Sequence, residues 1–560
     1  MTMVEFLKFQ KSNCKNCYKC IRHCPVKSIR FSGNQANVIA NECILCGQCY
    51  VVCPQNAKKI ADETEIVGVL LKSGAPVIAS IAPSFAAYFR GTGITALETA
   101  LKRLGFFAAE ETALGAEEVK KEYERLCDEG IYDNLITSCC HTVNLLIEKY
   151  YPQLTGNLAP VKTPMRAHCD SIRMRYPGAK TVFIGPCLSK KDEAARDGID
   201  AALTFDELSS MLAAAGIAIG DEADTAPGGI SRLFPTNGGV LNSMFHKNPN
   251  YTYLAVDGME NCKRVFDDLA NGQIHHCFIE VSACAGSCSG GPIMEKHKNT
   301  PLRNYQAVRS YAGSQDFVGE RPAVDMHADY EAVAREERFP TEAEIRDILR
   351  KMGKFRPGDE LNCGTCGYNT CREKAIAVYQ GKAEMNMCLP YLMEKSERFT
   401  NNILDNTPNG ILVVNDRYEI QEINRAALTM LRIHSRSDVL GEPLVRVMDP
   451  LDFLSALEDG KKIIDKRDYY AEIDKYLSLT IVHDKVSNHL IAIFRDITEE
   501  ENARKSKDAF SRQTVETADK VVERQMCIVQ EIASLLGETA AETKIALTKL
   551  KESITDGNSQ

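Results

Sequence analysis

No stretch of the 560-residue chain reaches 18 consecutive apolar residues, so no segment is expected to span a membrane. The opening "MTMVEFLKFQ" has no basic stretch followed by an apolar core, so no secretory leader is expected and the expected location is cytoplasmic. Positive charge is not in excess: 67 Lys and Arg face 76 Asp and Glu, for a net charge of −9. That balance argues against a nucleic-acid partner and against an anionic membrane surface. The last 60 residues contain no histidine, which excludes the phosphoacceptor helix of a histidine kinase, and no nucleotide-binding glycine motif follows. Cysteine is missing between Cys388 and Cys527. With 44% apolar and 26% charged residues, the rest is that of a globular protein long enough for three to five domains.

What is abundant is cysteine, 22 in all. In a reducing compartment, clustered thiols point to metal ligation rather than to disulfides. Eight lie between Cys14 and Cys53, in "CKNCYKCIRHCP" (14–25) and "CILCGQCYVVCP" (43–54). Each motif is C-x2-C-x2-C-x3-C-P, the spacing of a bacterial two-cluster ferredoxin, in which the fourth cysteine crosses to the other cluster. One [4Fe–4S] cluster is therefore expected on Cys14, Cys17, Cys20 and Cys53, the other on Cys43, Cys46, Cys49 and Cys24. A pair of zinc ribbons would explain neither the repeat nor the prolines.

From residue 66 to 345, apolar runs such as "APVIASIAP" and "TVFIGP" alternate with helical stretches such as "ALETALKRLGF" and "EEVKKEYERLCDEG". This is an α/β pattern. Three cysteine motifs, "TSCC" (137–140), "GPCLSKKDEA" (185–194) and "EVSACAGSCSGGP" (280–292), each follow a strand-like run, where α/β sheets place their sites. Spacing alone leaves Cys139 as readable as an inert buried thiol as it is as a working one. Cys127, Cys169, Cys262 and Cys277 fit no motif and read as core residues.

Together these motifs resemble the catalytic domain of the [FeFe]-hydrogenases. The resemblance implies an H-cluster: a [4Fe–4S] cubane joined through one thiolate to a diiron subsite carrying CO, cyanide and a bridging amine dithiolate. Cys140, Cys187, Cys284 and Cys288 match the cubane ligands, with Cys288 the bridge. Cys139 matches the proton-relay thiol, and Lys190 the lysine that donates to an iron-bound cyanide. Ala285, Gly286, Gly290 and Gly291 fit a loop approaching a bulky cofactor. Departures also occur. His141 stands where the family has proline, Ser282 replaces the methionine that packs on the diiron unit, and Ala159 replaces a serine of the proton path. A glutamate beside the relay thiol is not clearly placed, Glu122 being the nearest in register. A proton path missing a member is expected to turn over slowly.

Residues 363–388 give C-x2-C-x4-C-x16-C, which suits zinc or iron–sulfur on geometry alone. The stretch resembles a small [4Fe–4S] module found after hydrogenase domains, which implies a cubane on Cys363, Cys366, Cys371 and Cys388, with "REKAIAVYQGKAE" a helix spacing the fourth ligand. Residues 396–500 resemble a PAS domain built on a five-stranded antiparallel sheet. "YLSLTIVHD" and "LIAIFRDIT" supply later strands, and "DIT" (496–498) is a common exit. His434, His483 and His489 read as surface residues. The tail fits an imperfect coiled coil, with Val515, Val522, Val529, Leu536, Thr543 and Leu550 at a, and Gly537 interrupting it. An amphipathic helix packed on the PAS domain is the alternative.

The expected architecture is thus multidomain, α+β and α/β. A two-cluster ferredoxin module spans 1–65, an H-cluster domain 66–345, a third [4Fe–4S] module 346–395, a PAS domain 396–500 and a helical signalling segment 501–560. This order resembles the sensory [FeFe]-hydrogenases. It implies slow reversible H2 cleavage to protons and electrons, four [4Fe–4S] clusters and a redox carrier such as ferredoxin. Maturation proteins, a separate kinase or phosphatase partner, and a homodimer through the PAS domain and coil are also implied. Two rivals are a metabolic ferredoxin-linked hydrogenase and an iron–sulfur electron-transfer scaffold without the diiron unit.

Overall fold

The computed structural model describes residues 6–9, 13–220, 224, 228–298, 300–319, 321–335, 338–458 and 463–556. Two compact units divide the chain, 1–392 and 393–560.

In the first unit, Leu7–Phe9 pairs antiparallel with Lys58–Ile60 and closes both ferredoxin-like motifs into one module. Each motif places its third cysteine on a one-turn helix, Lys19–Arg22 for Cys20 and Gln48–Val51 for Cys49. The α/β portion holds two separate parallel sheets. In the larger, Val77–Ile81 lies between Ala108–Glu111 and Lys180–Gly185, and Ala201–Thr204 forms the far edge. In the smaller, Cys277–Ser282 lies between Thr252–Asp257 and Asn134–Ile136. All five residues of Val77–Ile81 are buried. Parallel strands covered by helices on both faces read as continuous apolar runs for this reason. The three cysteine loops leave the C-terminal ends of Asn134–Ile136, Lys180–Gly185 and Cys277–Ser282, so strands of both sheets aim at the same site.

The third module differs from its sequence expectation. The helix begins at Cys371 and stops at Tyr379, not at residue 384. Gly381 adopts a φ of +67°, which folds Lys382 and Ala383 back onto Ala377. A short 3-10 turn, Met385–Met387, then presents Cys388. The module shares a core with the ferredoxin module: Tyr368, Ala377 and Met387 pack with Ile21, Ile29 and Phe31. Arg22 donates from its guanidinium to the Gly364 carbonyl, and Lys27 from Nζ to that of Gly367.

The second unit carries a five-stranded antiparallel sheet in the order Ile420–Ile423, Gly410–Val414, His489–Asp496, Lys475–Asp484, Ile463–Tyr470. Leu412, Phe453, Leu477 and Phe494 fill its core. The "DIT" exit has a physical cause. Thr498 donates both its backbone N–H and its hydroxyl to Asp496, which ends the strand and starts the final helix. His434 is exposed, but His489 is only half exposed and its Nδ1 is buried without a partner. The final helix, Thr498–Asp556, runs unbroken through Gly537. One glycine costs about 1 kcal/mol against alanine, which 59 helical residues absorb. Val515, Val522, Val529, Ile532 and Leu536 remain exposed along it. Among the described residues no helix is long and apolar enough to cross a membrane.

Candidate metal centres

Cys140 stands at the N-cap of the helix His141–Tyr150 in an extended conformation (φ −94°, ψ 100°), with the Val143 and Ala283 N–H groups against its thiol. Around it, Cys284 senses the charges of Cys187, Cys140 and Cys288, and then of Cys46 in the ferredoxin module. Burial drives the thiols of Cys140, Cys284 and Cys288 above the ordinary range. Cys288 nevertheless keeps an accessible side chain. Four converging thiols with no carboxylate among them form a soft donor set suited to an iron–sulfur cubane, whose binding would displace the thiol protons. The loop glycines serve the loop's own backbone. A Cβ on Gly290 would lie 1.9 Å from the Ala285 carbonyl oxygen, and one on Gly286, at φ +77°, 2.6 Å from Pro301.

Cys139 is held otherwise. Burial pushes its thiol up to about 12, and its Sγ lies 3.3 Å from the Tyr123 hydroxyl. That hydroxyl accepts the Ser138 N–H at 2.9 Å and lies 2.9 Å from Ser138 Oγ. Ser138 Oγ donates to the Val161 carbonyl at 2.7 Å, so Tyr123 can be the donor in the Tyr123–Ser138 contact. Tyr123 was missed in the sequence. The residue nearest in register, Glu122, faces outward and pairs with Arg125 at 2.6 Å, and Tyr123 beside it turns in. Ala159 is fully buried and offers no hydroxyl.

Lys190 Nζ donates to the Cys139 carbonyl at 3.3 Å and to Glu193 Oε2 at 2.5 Å. Burial is the largest influence and opposes its charge, but Glu193, with Cys187 and Cys288, offsets it and holds the Lys190 amine above its ordinary range. Glu193 also accepts from the Thr163 hydroxyl and lies 3.8 Å from His141 Nδ1, while His141 Nε2 contacts Asp192 at 2.9 Å. His141 thus links Asp192 to Glu193, the acid that pairs with Lys190. Ser282 ends its strand, and its carbonyl accepts from the Cys262 thiol and the Gly258 N–H.

A second group missed in the sequence is Glu280, the acid within the buried strand Cys277–Ser282. Burial raises its carboxyl to about 7, against the N–H groups of residues 238–241, and it acts electrostatically on Cys139. The Leu241 N–H donates to it at 3.0 Å.

The other thiols gather in three sets. Cys20, pushed up to about 11 by burial, senses Cys17, Cys53 and Cys14. Cys24, Cys43, Cys46 and Cys49 line one cavity together. Cys363, Cys366, Cys371 and Cys388 line another, with Lys374. Among the described residues no three His, Cys, Asp or Glu side chains are arranged to hold a single metal ion. Cys127, Cys169 and Cys277 are buried and join none of these sets, whereas buried Cys262 lies close enough to Cys140 to feel its charge.

Comparison with known proteins agrees with this layout. Residues 75–292 match the C-terminal domain of the iron only hydrogenase large subunit. Residues 6–54 match a 4Fe-4S dicluster domain, 359–390 an Fe-S cluster family and 398–467 a PAS domain. The chain is 29% identical to iron hydrogenase 1 of Clostridium pasteurianum over 285 residues, 38% of this chain and 49% of that one. It is 26% identical to the NADP-reducing hydrogenase subunit HndD of Solidesulfovibrio fructosivorans over 331 residues, 46% of this chain and 56% of that one. The chain thus spans about half the length of these relatives. A solved [FeFe]-hydrogenase overlays 49% of this chain and 99% of its own, at 17% identity and a TM-score of 0.39. The chain thus carries segments that match an iron-only hydrogenase domain, a dicluster domain and a PAS domain.

Proposed function

We propose that this chain is a slow, reversible H2-cleaving sensor whose cluster redox state passes through the third module to the PAS domain. The observation that carries the reading is the gathering of Cys140, Cys187, Cys284 and Cys288 beside Cys139 and Lys190. Held by those four thiols, an H-cluster would supply a Lewis-acidic iron with an open position beside a bridging amine, the pair that splits H2 heterolytically. Lys190, kept cationic by Glu193, offers a fixed positive charge and a donor at the site. Cys139 Sγ holds a proton at neutral pH and exchanges it with the Tyr123 hydroxyl. Beyond Tyr123, Ser138 Oγ donates to the Val161 carbonyl, which also accepts from the Tyr330 hydroxyl at 2.9 Å, and Ala159 offers no hydroxyl. Proton delivery is therefore slow, as suits a sensor.

Electrons leave through the ferredoxin module, whose Cys46 lies near Cys284, toward a carrier such as ferredoxin or toward the third module. Maturation proteins install the diiron subsite in a cytoplasmic setting. The PAS domain and the exposed apolar stripe of the final helix form a homodimer that addresses a separate kinase or phosphatase. Anaerobic infrared spectroscopy of the matured protein tests the reading. Sharp CO and cyanide bands that shift on replacing argon with H2 are expected, with low turnover. Absence of such bands despite maturation removes the hydrogenase reading, and fast turnover favours a metabolic enzyme.

A further inference from the structure

The third module holds a buried cation that the function above does not use. Lys374 is 1% exposed, and its Nζ donates to two uncharged acceptors, the Glu384 carbonyl at 2.5 Å and Met387 Sδ at 3.2 Å. The ammonium also stands 5.6 Å from the Tyr368 ring centroid. It lines the same cavity as Cys363, Cys366, Cys371 and Cys388. Burying an ammonium away from a carboxylate is costly unless another anion faces it. Here the anions that act on it are the Cys366 and Cys388 thiolates and, after them, the Glu384 carboxylate.

We propose that Lys374 sets the redox potential of the third module, its fixed positive charge stabilising the reduced cluster. This rests on the reading that the four cysteines carry a [4Fe–4S] cluster. The step is a one-electron reduction: an electron drawn from H2 through the ferredoxin module, or from a chemical reductant, enters the cluster. No bond forms or breaks. Reduction adds one negative charge to the cluster, and in a low-dielectric interior a nearby cation favours that state far more than it would in water. The position of the module gives the setting a consequence. Its shared core with Ile21 and Phe31 places it against the electron-transfer module, and Cys388 immediately precedes the helix Leu389–Asn406.

The test is an anaerobic redox titration of the full-length protein followed by EPR, with the third-module signal identified by its loss in C371S. Lys374→Met is expected to move the midpoint of that signal to more negative potential and leave the ferredoxin signals unmoved. Lys374→Arg is expected to restore it toward wild type. Lys374→Gln, which drops the charge but keeps a donor for the Glu384 carbonyl, carries the same expectation if the methionine variant takes up no iron. An unmoved midpoint with the cluster present overturns the assignment. Loss of iron from both neutral variants, with retention in Lys374→Arg, overturns it in favour of an assembly role. If wild type and C371S have the same iron content and the same signals, it is the cluster reading that fails.

Discussion

The Tyr123 hydroxyl lies 3.3 Å from Cys139 Sγ and accepts the Ser138 N–H at 2.9 Å, so one side chain serves both the Cys139 thiol and the loop that carries it. Y123F removes both contacts. It is expected to leave a buried N–H unpaired at a cost of about 1–3 kcal/mol, read by urea unfolding, and to lower H2 turnover by roughly tenfold, the low end of a lost proton-transfer partner. Turnover at the wild-type level would remove Tyr123 from the path.

Cys139 itself has the larger effect. C139A is expected to lower turnover by about 10²–10⁴ while the infrared bands of the cofactor persist, because the ligand set is untouched. Unchanged turnover would make Cys139 an inert core thiol.

Glu280 makes stability depend on pH. Its folded carboxyl, raised to about 7 by burial, binds a proton where the unfolded chain, near 4.5, has released it. The folded state is thus favoured at acid pH, and that contribution fades as pH rises from about 4.5 through 7. The full change is about 3 kcal/mol. Denaturant unfolding at pH 5.5 and 8 should show wild type losing stability on the alkaline side, with the loss largely absent in E280Q. Equal slopes for the two proteins would contradict the assignment.

The final helix exposes Val529, Ile532 and Leu536. V529D with L536D is expected to convert a dimer to a monomer in sedimentation velocity while far-ultraviolet dichroism stays largely helical. A monomeric wild type would turn attention to packing of this helix within its own chain.

Much of this was legible because cysteine spacing is local. The ferredoxin motifs and the strands before each cysteine loop follow from short-range pattern, while the five-stranded sheet of the second unit was expected from a resemblance to PAS domains. Tyr123 was not legible, because its contact with Cys139 depends on the face that Ala113–Glu129 turns inward, and one residue of register separates it from the outward Glu122. Glu280 was hidden differently: a continuously buried strand has no polar face to mark an inward acid as unusual. The helix end at Tyr379 depends on the left-handed turn at Gly381, and the pattern "REKAIAVYQGKAE" reads through it.

The core shared by Ile21, Phe31, Tyr368 and Met387 joins segments far apart in the chain, 342 residues separating Arg22 from the Gly364 carbonyl it binds. During synthesis the first cysteine motifs leave the ribosome well before Tyr368 and Met387 exist to cover them. At 5–20 residues per second that interval is roughly 17–70 s. The ferredoxin module therefore spends that interval with one flank uncovered, a window open to its cysteines before the third module closes over Ile21.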